Sequence, residues 1–141
     1  AIVQAVALHM ATPQGVLLSP PEESGEGDGG LFKGILARYL AEVAERLPED
    51  SKENIATKKI AARLVMQSAE SLWAHRLEVD GLPVFAAEWT QDAKLPHNYG
   101  LGPASISEAV GLVRIDERDL SVQLSGWMLL EAAARVAAAQ G

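Results

Sequence analysis

From Leu31 to Leu47 the apolar residues fall at positions 32, 36, 39, 40, 43 and 47, with Glu42, Glu45 and Arg46 between them. That spacing is one face of an α-helix. Pro48 stops it, because proline cannot continue a helical hydrogen-bond ladder. Asp50, followed three residues later by Glu53, has the form of a capping box opening a second helix to about Arg76, with Ile60, Leu64, Val65, Leu72 and Trp73 on its apolar side. A link as short as Pro48–Asp50 predicts that the two helices lie antiparallel. A last helix is predicted from Asp119 as N-cap, through Leu120, Leu124, Trp127, Met128 and Leu130, into the alanine-rich end. Trp73 and Trp127 both fall on stripes that should face the core. At the other end, Ala1–Ala11 is helical in composition yet has no capping residue in front of it, so it reads as the inside of a helix and the chain as a piece of something longer or a mature form cut within a helix.

Between these helices the pattern breaks. Thr12–Gly30 holds Pro13, Pro20, Pro21 and glycines at 15, 25, 27, 29 and 30, which rules out a continuous helix. Gly15–Leu18 is expected to form one arm of a small hairpin, and the stretch after it is acidic, with Glu22, Glu23, Glu26 and Asp28. Leu77–Ala104 is interrupted by Gly81, Pro83, Pro96, Gly100, Gly102 and Pro103 and predicts a long loop with little regular structure. Loops of that length are uncommon in compact domains unless they bind something. Ser105 with Glu108 suggests a second capping box, opening a short helix around Ala109–Val113. No strand alternation of useful length stands out, so the fold class expected is all-α, a single helical region over residues 1–141.

Composition narrows the chemistry. With 12 Lys+Arg against 19 Asp+Glu and a formal charge of -7, the chain lacks the basic footprint that nucleic-acid binding needs. It has no cysteine, which excludes disulfides, thiolate metal sites and cysteine nucleophiles. No apolar run is long enough to span a bilayer. His9, His75 and His97 are too scattered for a metal-binding spacing, and Ser24 and Ser125 lack a nucleophile elbow. The acidic loop could offer oxygen ligands to calcium, but its spacing is not that of an EF-hand and solvation is its simpler role. No metal and no cofactor are expected.

Several residues stand out against that background. Asp28-Gly29-Gly30 runs straight into the helix starting near Leu31, where free backbone N–H groups favour polar ligands. Lys33 is electrostatically misplaced in a first helical turn, and Gly34 there costs about 1 kcal/mol against alanine, so something should pack or bind close by. Phe32 opens the same helix and suits either the core or a sugar face. Arg38 is spaced to pair with Glu42. Trp89 and Tyr99 lie in the long loop, outside any helical stripe, where an aromatic ring could stack on a sugar or equally well pack down onto the end of the helices. Gln123 and Ser125 fall early in the last helix.

The block Gly15-Val16-Leu17-Leu18, Pro21-Glu22, Asp28 and Leu31-Phe32-Lys33-Gly34-Ile35-Leu36-Ala37-Arg38-Tyr39-Leu40 resembles glycoside hydrolase family 76, whose pattern is roughly a G-I-L-x-E run followed by F-K-G-I-x-x-R-x-L. The similarity continues at Ser68–Trp73, at Gly81–Phe85 with Trp89, and at Gln123-Leu124-Ser125-Gly126-Trp127. The resemblance implies helical hairpins forming part of an (α/α)6 toroid. It also implies endo-acting hydrolysis of α-1,6-mannan by a retaining mechanism with two adjacent aspartates. No Asp-Asp pair occurs here, so the chain corresponds to a C-terminal portion that carries no catalytic residue of its own. The expected partners are mannan or manno-oligosaccharide and the remainder of the barrel, on the same or a completing chain. The expected substrate-binding residues are Asp28, Phe32, Lys33, Trp89 and Gln123, and the expected setting is extracellular or cell-surface. The competing expectation is a non-catalytic helical carbohydrate-binding or scaffold protein.

Overall fold

A computed structural model of the chain describes residues 2–19, 31–94 and 120–140. The described residues are mostly helical, as expected: α1 (Ile2–His9), α2 (Phe32–Arg46), α3 (Lys52–Ala74) and α4 (Leu120–Gln140), with β1 (Leu77–Val79) and β2 (Leu82–Val84) between the last two helices. Helix α2 packs on both α3 and α4, α3 also touches α4, and α1 lies against α3. The acidic loop with Asp28, the loop residues His97 and Tyr99, and the short helix expected around Ala109–Val113 lie outside the described residues.

Helix α2 ends where Leu47 turns extended (φ -62°, ψ 125°), the conformation favoured before a proline. The start of α3 lies one residue later than the capping-box pattern suggests. Ser51 is the N-cap and accepts the Asn54 N–H at 3.1 Å, while Asp50 receives the Asn54 side-chain amide at 2.8 Å. The small hairpin arm expected at Gly15–Leu18 is present. Ala11 and Leu17 bridge, Gly15 takes a positive φ of 97°, and the Leu17 N–H is received by the buried Ser68 hydroxyl at 2.9 Å.

The loop expected from Leu77 contains an antiparallel hairpin, with Leu77 opposite Val84 and Val79 opposite Leu82. Its turn is Asp80-Gly81, both at positive φ, which is the backbone a tight two-residue hairpin needs. Two three-residue strands are too short to show alternation, so the turn pair was the legible signal.

The helix faces also differ from the pattern of large apolar residues. Helix α2 buries Gly34, Ala37, Leu40 and Ala41, and α4 buries Val122, Ser125, Gly126, Leu129, Ala132, Ala133 and Val136. Phe32, Tyr39, Leu124 and Trp127 stay exposed. The reason is proximity. An added Cβ on Gly34 would sit 2.7 Å from Ser125 Oγ and 2.8 Å from its Cα, so this contact admits only small residues. Arg135 of α4 closes the seam on the polar side, paired with Glu45 and with Glu42 at 3.4 Å. Glu42 also pairs with Arg46 at 3.2 Å, so the pairing expected with Arg38 is not formed.

Candidate functional site

The segment after β2 crosses the end of the molecule at which α2 and α4 begin and α3 finishes, and side chains from all three helices hold it there. The Gln123 amide pairs with both backbone polar groups of Phe85: Oε1 accepts its N–H at 3.0 Å and Nε2 donates to its carbonyl at 2.9 Å. The Ser71 hydroxyl donates to the Trp89 carbonyl at 2.6 Å, and the Ala93 N–H reaches the His75 carbonyl at 2.9 Å. Gly126 completes the seat, because a Cβ there would lie 2.4 Å from the Phe85 ring.

Lys33 is the charged centre of this end. Its ammonium is buried, donates to the Ala87 carbonyl at 2.7 Å, pairs with Glu88 at 3.1 Å and lies 4.5 Å from the centre of the Trp89 ring. Burial pushes the ammonium below its ordinary value of 10.5, and the Glu88 carboxylate opposes that shift. The same Glu88 oxygen accepts the Ser19 N–H at 3.1 Å, so one carboxylate ties together the chain on both sides of residues 20–30.

Three of the expected site residues thus meet through one segment: Lys33 and Trp89 directly, and Gln123 through Phe85. Phe32 is at the same end, 37% exposed, so it is not a core residue. Asp28 lies outside the described residues. The core assignments of Trp73 and Trp127 are overturned. Trp89, for which a solvent-reachable sugar platform and packing onto the helix ends were both expected, takes the second course: it is 1% exposed, held down by Lys33 and the Ser71 bond, whereas Trp73 and Trp127, expected in the core, are 43% and 52% exposed. Sequence reasoning missed Glu88, Ser71 and Phe85 as the parts that anchor the segment. Among the described residues, no group of three or more His, Asp or Glu side chains is placed to hold a metal ion, and no helix is long and apolar enough to cross a membrane.

A helical hairpin packed on a third helix, with a loop tied down across the helix ends, is the arrangement of an α/α-toroid segment. Solved structures make the comparison specific. Over 95% of its length the chain matches the GH76A α-1,6-mannanase from Salegentibacter sp. HEL1_6, at 29% identity and a TM-score of 0.60. It matches two inactive variants of that enzyme, each altered at two consecutive aspartates, at 30% identity: one in complex with α-1,6-mannotetrose (TM-score 0.58), the other with α-1,6-mannotriose (TM-score 0.59). In each case the chain spans 31% of the length of the solved enzyme. No family model matches the chain, and no curated protein does. The similarity to glycoside hydrolase family 76 drawn from the Phe32-Lys33-Gly34 block is borne out by these structures.

Proposed function

We propose that this chain is the C-terminal part of a glycoside hydrolase domain that cleaves α-1,6-linked mannan. The observation that carries this reading is the match over 95% of the chain to an α-1,6-mannanase, two of whose structures hold α-1,6-linked mannose oligomers. Hydrolysis with retention requires two carboxyl groups flanking the scissile bond, held at a fixed separation. The chain contains no consecutive aspartates, and the enzyme it matches is inactive when two consecutive aspartates are replaced. In this reading the pair is supplied by the remainder of the domain. The present residues contribute barrel wall and part of the substrate surface, at the end where Phe32, Lys33 and Gln123 lie. An extracellular or cell-surface setting accords with a polymeric mannan substrate.

The missing aspartate pair also favours a second reading, a helical protein that binds mannan without cleaving it. Both readings require recognition of α-1,6-linked mannose. Calorimetric titration of the protein with α-1,6-mannotriose, against maltotriose as control, is expected to give saturable binding of the mannoside alone. Equal binding of both sugars, or of neither, contradicts the proposal.

A further inference from the structure

Two of the polar residues expected to meet a glycan at this end spend their polar groups inside the protein. The Lys33 ammonium donates to Ala87 and Glu88, and the Gln123 amide holds both backbone groups of Phe85. Glu88 is different. Its Oε1 accepts from Lys33 Nζ and from the Ser19 N–H, each at 3.1 Å, while Oε2 has no partner among the described residues. An ionised carboxylate offers about four lone-pair sites, so roughly half of its accepting capacity is unused. The side chain is 32% exposed, and Oε2 is open to solvent rather than buried.

The backbone that carries this carboxylate is fixed at three successive carbonyls. Ala87 accepts from Lys33 Nζ at 2.7 Å, Glu88 from the Gln91 N–H at 3.1 Å, and Trp89 from the Ser71 hydroxyl at 2.6 Å. With Oε1 held as well, little side-chain freedom remains to be lost when a ligand binds. Charge then selects the ligand. Buried Lys33 already balances the carboxylate, so a second cation gains little, whereas a neutral O–H donor gains a charge-assisted hydrogen bond. A fixed, open, acceptor-only oxygen suits an uncharged ligand rich in hydroxyl groups. We infer that Glu88 Oε2 receives a sugar hydroxyl of the α-mannoside, with Lys33 as the positioning residue behind it. This assignment rests on the mannan reading above and names the polar contact through which the segment after β2 meets the glycan.

The test is calorimetry of wild type and Glu88→Gln with α-1,6-mannotriose and a series of its monodeoxy analogues, with circular dichroism to verify folding. Glutamine keeps an oxygen for Ser19 and Lys33 and turns the outer atom into a donor. Glu88→Gln is expected to bind the trisaccharide about tenfold more weakly, the scale of one hydrogen bond to a charged acceptor. In wild type, removal of one particular hydroxyl should cost about the same factor. In Glu88→Gln that analogue and the parent sugar should bind alike, a coupling that a purely structural Glu88 would not produce. Wild-type affinity in Glu88→Gln, or an equal loss for every analogue, would overturn the assignment while leaving the mannan reading intact. The wild-type series is decisive by itself as well: equal affinity for all analogues overturns the assignment. Displacement of the trisaccharide by calcium chloride, abolished in Glu88→Gln, would give Oε2 to a cation and overturn it too. Failure of the wild type to bind α-1,6-mannotriose overturns both readings.

Discussion

A lysine in the first turn of a helix meets the positive end of the helix dipole, and Lys33 meets it while buried. Three partners make this tolerable: the Ala87 carbonyl, the Glu88 carboxylate and the Trp89 ring. Because burial lowers the proton affinity of Lys33 in the folded state, the unfolded chain binds more protons between the folded value and 10.5. Stability from this group therefore rises with pH through that window. Urea unfolding across the alkaline range is expected to show wild type gaining on Lys33→Met as pH approaches 10.5; parallel curves would remove the buried-ammonium account. At neutral pH the substitution should cost less than about 2 kcal/mol, since Glu88 is partly exposed and can be rehydrated. The oddity of Lys33 was legible in the sequence, because its position violates a local rule. Its partners were not, because Ala87, Glu88 and Trp89 reach it only through a fold that brings together residues more than fifty positions apart.

At the scale of the elements, helix positions were readable and helix faces only in part: Leu40, Leu64, Val65 and Leu72 are buried as expected, whereas Phe32, Tyr39, Trp73, Leu124 and Trp127 are not. Capping and breaking residues act locally, so Pro48 and the Ser51 region mark their boundaries to within a residue. The faces of α2 and α4 are set by how closely the two helices approach, which favours Gly34, Ala37, Ser125 and Gly126 over Phe32, Tyr39 and Trp127. A hydrophobicity pattern weights the large residues and so places Leu36, Leu40 and Val43 of α2 correctly against the core but misplaces Phe32, Tyr39 and Trp127. Gly34→Ala tests the close approach. Alanine would improve helix propensity by about 1 kcal/mol, yet its Cβ would meet Ser125 backbone as well as side chain, and overpacking of that kind costs about 1–3 kcal/mol. A net loss of stability in thermal unfolding is expected, and a stabilised variant would show that the helices stand further apart. The 77–84 hairpin was hidden for another reason: its strands are three residues each, and Asp80-Gly81 was the one strong local cue.

For the whole molecule, the family resemblance was legible because it rests on a contiguous block, Leu31–Leu40, in which a buried lysine and a contact glycine occur side by side. The arrangement of the site was less so: the exposed tryptophans turned out to be those on helices, and the loop tryptophan turned inward. Large apolar side chains also remain uncovered on α1, at Ile2 and Leu8, and on α4, at Leu120 and Leu124. Faces of this kind accord with a segment that completes its packing against the rest of a barrel. The most direct test of the account is proton NMR of α-1,6-mannan incubated with the complete gene product, following the anomeric signals of the first oligosaccharides released. Hydrolysis with the α-anomer formed first is the expected result. An unchanged polymer, or a first-formed β-anomer, would contradict it.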